Sequence, residues 1–331
     1  LKFLSLALSG FLYSIFWIIG GTASLLPWRV RQGLAFVLGG IWFWILPFRR
    51  RVILHNLSLV FPRESGESMD EFRDRCNEIA RRNMRHNILF LIEFLERFHW
   101  APADVERRLV IQGWEHVEGL MHSKRGAFIM TAHIGNWELM TVAGSLKGMP
   151  LSILTRFLRN PVFDRIWVWS RRRFGMELLQ ETGSGMQIIR AIRKGRFVGF
   201  IMDQHTGEPH GLETEFLGLP AWSPKGLAIL ATRLDAPVLP ACILRRADGR
   251  FDVKIAAPIE VPAALAPQAR AGTSSGRTES GPLSLKELES HVRLCNQVME
   301  GWIREHAEQY LWLHKRFKNF VDYRARLPWE L

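Results

Sequence analysis

Ala127-Phe-Ile-Met-Thr-Ala-His133-Ile-Gly-Asn-Trp-Glu138 is the stretch on which the reading turns. An apolar run, Ala127–Thr131, delivers a histidine, and a carboxylate follows five residues later. On one continuous helix, five steps of about 100° would leave the two side chains ~140° apart. They meet only if His133 sits in the turn after a strand and Glu138 lies in the first turns of the next helix. Gly135 and Asn136 supply that turn. Read so, His133 is a general base, and Glu138 fixes its tautomer and supports the imidazolium. The N–H groups of the helix start suit an oxyanion. Alone the pair is weak, because a His and a Glu at a strand end often only satisfy a loop. A zinc site reads worse: the familiar helix places two His four apart with Glu beside the first. His205 and His210, five apart in a polar loop, make no better pair.

Outward from this stretch, short apolar runs bounded by Gly, Pro or charge recur. They are Leu109–Gln112, Leu151–Thr155, Phe197–Met202, Pro237–Leu244 and Phe251–Ile255, each with the length of a buried strand. Helical stretches alternate with them, around Trp137–Ser145, Pro161–Phe174, Gly185–Lys194 and Gly226–Leu234. A longer helical pattern covers Asp70–Trp100, and a charged helix runs from Leu285 to about His306. The alternation predicts an α/β fold with a mixed central sheet flanked by helices. Pro258–Pro282, rich in Ala, Pro, Gly and Ser, reads as a surface loop or insert. No internal repeat is visible.

Phe3 to Trp28 carries no charge, which is about the length needed to cross a ~30 Å hydrocarbon core as a helix. A cleaved signal peptide fits poorly, since the run is too long and lacks a small-residue cleavage site before polar sequence. Gly33–Phe48 is also uncharged. It reads as a second tilted helix, an interfacial segment or a buried core helix, and the sequence leaves the three open. The expectation is an N-terminal membrane helix or helices: residues 1–50 as anchor and interfacial segment, 51–331 as the catalytic body. Arg29, Arg31 and Arg49–Arg51 follow the two runs, which places that body on the cytoplasmic side.

The 331 residues are 47% hydrophobic and 23% charged, a composition that folds. With 44 Lys+Arg against 32 Asp+Glu the net charge is +12, so an anionic partner is expected. The 13 Trp against 3 Tyr favour a membrane surface over nucleic acid, for which no zinc-finger, basic-zipper or RNP-like pattern is present. Cys76, Cys242 and Cys295 lie far apart without metal spacing and read as buried thiols of a reducing compartment.

Several blocks together resemble the late acyltransferases of lipid A biosynthesis, within the wider lysophospholipid acyltransferase superfamily. They begin at Arg51-Val-Ile-Leu-His-Asn56-Leu57, ending in Phe61-Pro62, and continue in His133-Ile-Gly-Asn-Trp-Glu138. Arg156…Asn160-Pro161…Asp164, Asp203-Gln204 and Phe216-Leu-Gly218-Leu-Pro-Ala221 come next. Gln309-Tyr-Leu-Trp312-Leu-His314-Lys-Arg316-Phe-Lys318 closes the series, so the blocks span nearly the whole chain.

The resemblance implies acyl transfer from a thioester, with acyl carrier protein (or acyl-CoA) as donor, to a hydroxyl of a lipid A precursor. It also implies the bacterial inner membrane as location and no cofactor. His133 would deprotonate the acceptor hydroxyl and Glu138 would support it. Gly135, Asn136, Arg156, Asn160, Asp164, Asp203, Gln204, His314 and Arg316 would bind substrate, with Arg156 suited to phosphate. Asp203 follows an apolar strand, where site residues of an α/β sheet belong. Arg171–Arg173 read equally as an anion-binding patch or an exposed helix face. Two alternatives stay open: another lipid acceptor, such as a glycerophospholipid, or a non-catalytic membrane-binding protein in which the motif is structural.

Overall fold

The computed structural model describes residues 2–97, 99–155, 160–180, 183–259 and 284–330. From the N-terminus these form α1 (Lys2–Leu25), α2 (Trp28–Trp44), α3 (Arg50–Val60) and the long α4 (Met69–Glu96). Strands and helices then alternate through α5 (Pro102–Arg108), β1 (Leu109–Gln112), α6 (Trp114–His122), β2 (Ala127–Thr131) and α7 (Trp137–Leu146). The series continues with β3 (Leu151–Thr155), α8 (Pro161–Arg172), β4 (Glu177–Gln180), α9 (Gly185–Arg193) and β5 (Phe197–Ile201). A hairpin, β6 (Gly211–Phe216) and β7 (Leu219–Pro224), precedes α10 (Gly226–Leu234), β8 (Val238–Arg245), β9 (Phe251–Ile255) and α11 (Leu285–Glu305).

Seven strands form one sheet in the order β1-β9-β8-β2-β5-β3-β4. All neighbours are parallel except β8 and β9, so the sheet is mixed, as the alternation predicts. The central strands are buried on both faces, which is why they read as continuous apolar runs. On one face Phe128, Met130, Val198 and Cys242 pack with residues of α3, α4, α9, α10 and α11. On the other, Ile129, Ile153, Leu239 and Ala241 pack with Val117 of α6 and Leu139 and Val142 of α7. The three cysteines are free and buried, and burial pushes each thiol up to about 12.

The N-terminal expectation is corrected: among the described residues no helix is long and apolar enough to cross a membrane. The charge-free run breaks at Pro27, which starts α2. The 17 residues of α2 include Arg29, Arg31 and Gln32, and at 1.5 Å per residue they fall short of ~30 Å. Both helices lie against the body instead. Gly20 is packed so closely on the backbone of Leu95 that an added Cβ would stand 2.2 Å from its carbonyl oxygen. Tyr13 meets Trp169 edge-on, and the backbone of Gly39 abuts Arg85. Without a span, the charge argument for a cytoplasmic body loses its basis. The insert read at Pro258–Pro282 lies, from residue 260 onward, outside the described residues.

Candidate active site

β2 ends at Thr131 and α7 begins at Trp137, so His133 stands in the strand-to-helix turn that its sequence dictates. Gly135 is required there: its φ is +61°, and a Cβ would stand 1.7 Å from the Ile243 carbonyl oxygen. Asn136 caps α7, its Oδ1 accepting from the Leu139 N–H at 3.0 Å, while its Nδ2 donates to Glu93. The turn is clamped from the C-terminal segment as well. Leu311 N–H donates to the His133 carbonyl, and Gly135 N–H donates to that of Gln309.

The imidazole of His133 finds its carboxylate 70 residues along the chain. Nδ1 lies 2.8 Å from Oδ1 of Asp203, two residues past the end of β5. Burial works to raise the Asp203 pKa, but the His133 contact outweighs it and holds the carboxyl below its ordinary range. An ionised carboxylate only accepts, so Nδ1 carries the proton and Nε2 is left as the base. The ring is also edge-on to Trp137, with centroids 5.0 Å apart.

Glu138 has other partners, and among the described residues no hydrogen bond joins it to His133. Arg97 Nη1 donates to it at 2.9 Å and Arg171 Nη2 at 2.5 Å. All three side chains are buried. Burial pushes the carboxyl up, yet the two guanidiniums overcome this and bring it down to about 2. Arg171 also donates to Thr155 Oγ1, and Arg97 to Ser170 Oγ. Of the arginine triplet that ends α8 and follows it, Arg171 thus faces inward.

Beside this cluster, between α7 and the sheet, lies a narrow apolar pocket with about 820 Å³ of space between atoms, its open mouth included. Trp137, Glu138 and Arg171 line one part of it. Ile129, Ile153, Gly199, Met149 and Val117 line others. An imidazole one ring away from an apolar recess is an arrangement that can serve an alkyl-bearing group.

Residues 2–319 match the family model of bacterial lipid A biosynthesis acyltransferases. The chain belongs to that family. It is 25% identical over 295 residues to the lipid A biosynthesis lauroyltransferase of Escherichia coli (strain K12), covering 88% of this chain and 87% of that one. It is similar to the myristoyltransferase of the same strain, 23% over 275 residues, covering 82% and 75%. The palmitoleoyltransferase is 22% identical over 308 residues, covering 86% and 90%. This protein is therefore an acyltransferase of the lipid A biosynthesis family.

The remaining candidates in this acyltransferase divide by position. Gln204 lies next to the imidazole, its Nε2 3.5 Å from Nδ1. His314 Nε2 accepts from the His205 N–H at 3.1 Å, and burial is the main cause bringing its pKa down to about 4. Arg316 is buried and turned away, donating to the Trp222 carbonyl and to Ser223 Oγ, so it ties the β6–β7 hairpin to the C-terminal segment. Asn160 Oδ1 accepts from Phe163 N–H at the start of α8, and Asp164 lies in that helix's first turn. Arg156 lies outside the described residues.

Sequence reading missed Arg97, Glu93, His86 and Arg245. Arg245 donates to both oxygens of Glu93 and to His86 Nδ1, while His86 Nε2 faces the Gly135 carbonyl at 3.3 Å. That leaves His86 a neutral Nε2–H tautomer, and burial and Arg245 hold its pKa well below the ordinary value. For His86 and Glu93 the available signal was ionisable residues on the apolar stripe of α4; Arg97, which follows that helix, and Arg245, at the end of β8, lie outside it.

Proposed function

We propose that this acyltransferase moves a fatty acyl chain from an acyl thioester, carried by acyl carrier protein, to a hydroxyl of a lipid A precursor. The observation that carries the reading is the His133–Asp203 hydrogen bond, together with Trp137, which stands edge-on to the imidazole and lines an apolar recess. Asp203 holds the Nδ1–H tautomer. Nε2 takes the proton of the acceptor hydroxyl as its oxygen attacks the thioester carbonyl carbon. The tetrahedral oxyanion forms beside the N-terminus of α7, whose first N–H groups suit negative charge. It collapses with cleavage of the C–S bond, and the imidazolium returns its proton to the leaving thiolate.

Glu138, locked between Arg97 and Arg171, is the electrostatic wall of the pocket mouth in this reading. The acyl chain occupies the recess beneath α7. Lauroyl, myristoyl and palmitoleoyl transferases among the relatives agree with a long-chain donor. The acidic carrier suits a chain of net charge +12.

The enzyme works at a membrane surface. Phe36, Val37, Trp44 and Leu46 of α2 and the segment after it are exposed, as is Arg82 of the neighbouring α4. Arg85 lies 4.1 Å over the Phe36 ring. Apolar groups beside arginines fit an anionic lipid interface.

The test is transfer of labelled acyl chains from acyl carrier protein to tetra- and penta-acylated lipid A precursors and, in parallel, to lysophospholipids. Product on the lipid A precursors is the expected result. Product on lysophospholipids alone would overturn the acceptor and keep the chemistry.

A further inference from the structure

The two glycines at the catalytic turn and in β5 stand in contrast. Gly135 is demanded by its backbone angle and by the Ile243 carbonyl. Gly199, in the interior of β5, is demanded by neither. Its φ is not in the left-handed region, and a Cβ would meet Ile153 Cγ2 at 3.4 Å, an ordinary contact. Glycine weakens a strand interior, so its presence in a buried sheet points to something that needs the space.

That space is the apolar pocket. Thr131 pairs with Ile201 at the His133 end of the sheet, and Ile129 and Ile153 pair with Gly199. Gly199 therefore lies two residues, about 7 Å, deeper than Ile201. It leaves a gap in the pocket floor between two isoleucines. At the far side Gly144 of α7 also lines the pocket, seven residues past Trp137 and so about 10 Å along the helix. There the Met149 Cε stands 2.4 Å from where a Gly144 Cβ would be, so the end of the Met149 side chain closes over the bare helix backbone.

We propose that Gly199 and Met149 set the acyl-chain length this enzyme accepts, an inference that rests on the pocket being the acyl-chain site. The chain enters beside Trp137, passes over Gly199 between Ile129 and Ile153, and ends against Met149. A side chain at 199 shortens the usable channel. Removing the Met149 side chain lengthens it.

The experiment measures kcat/KM for a series of acyl carrier protein donors of increasing chain length. It compares wild type with Gly199→Ala, Gly199→Val and Met149→Ala. Gly199→Val should move the optimum to shorter donors, with a loss on the wild-type optimum of about fourfold for each methylene denied burial. Gly199→Ala, which fits without displacing a neighbour, should shift the profile the same way by less. Met149→Ala should move it to longer donors. An unchanged profile in all three, or an equal decline on every donor, overturns the length assignment.

A donor with a photoreactive diazirine at the chain end separates this from the underlying reading. Label on residues of α6, α7 or β3 keeps the pocket as the acyl site whatever the length profiles do. Label elsewhere removes both.

Discussion

The Asp203 carboxylate accepts from His133 Nδ1 at 2.8 Å, across a separation of 70 residues. Asp203 is almost wholly enclosed and His133 only partly, with 2% and 17% of their side chains exposed. The carboxylate is thus shielded, while the far edge of the imidazole stays reachable by a substrate.

Asp203→Asn is the sharpest probe of that bond. An asparagine Nδ2 donates to Nδ1, which drives the proton to Nε2 and removes the base. The expected outcome is a fall in kcat of about 10²- to 10⁴-fold, the scale of general-base catalysis, with KM nearly unchanged. Steady-state kinetics on purified protein checks it. A loss confined to KM would place Asp203 in binding.

Glu138 behaves differently. Glu138→Gln leaves the buried Arg97 and Arg171 guanidiniums facing each other without their carboxylate, and should destabilise the fold by about 3–5 kcal/mol. Adding Arg97→Met should cost less than the sum of the single changes, because the two residues share one network. Urea unfolding of the four proteins of that cycle gives the answer. Undiminished stability with lost turnover would instead make Glu138 a direct participant in proton transfer.

Acid should remove two contributions to stability in turn. His314 goes from an ordinary 6.5 down to about 4 on folding, so its contribution is full above pH 6.5 and erodes as pH falls toward 4. Glu138, lowered from 4.5 to about 2, contributes fully above pH 4.5 and loses that contribution as pH falls toward 2. Asp203, held below its ordinary 3.8, acts with the same sign below that pH. Burial raises the pKa of Glu96 and Glu300, which act with the opposite sign, so the test is the difference between variants: His314→Phe should reduce the fall of the thermal midpoint between pH 6.5 and 4 relative to wild type. An unaltered slope would contradict the assignment.

The surface reading predicts co-sedimentation with vesicles rich in anionic phospholipid, weakened by salt. Phe36→Glu with Trp44→Glu should lower vesicle affinity at least about tenfold, since two large apolar side chains no longer enter the interface. Turnover on a detergent-dispersed acceptor should survive. Binding unaffected by both substitutions would exclude this face.

What could be read from the sequence follows from what is local. β2, β3, β5 and β8 announce themselves because burial on both faces makes them mostly apolar, and β9 because Phe251, Val253 and Ile255 alternate with Asp252 and Lys254. β4, Glu177–Gln180, is a four-residue edge strand with polar ends and carries no such signal. The β6–β7 hairpin hides because its two-residue turn, Leu217-Gly218, has a leucine at φ +56° where a glycine or asparagine would flag it. His133 and its turn were legible in six residues. The Asp203 contact was not, since it depends on β2 and β5 lying side by side. A count of uncharged residues reads α1 as a span, whereas the structure packs it against α4 and α8, a contact that no local count can show.

The most direct test of the central claim is single-turnover acyl transfer by His133→Ala, with pre-bound acyl carrier protein donor and excess lipid A precursor. The account predicts a chemical step slowed by about 10²- to 10⁴-fold, with donor binding and the thermal midpoint close to wild type. Wild-type turnover by His133→Ala would contradict it outright.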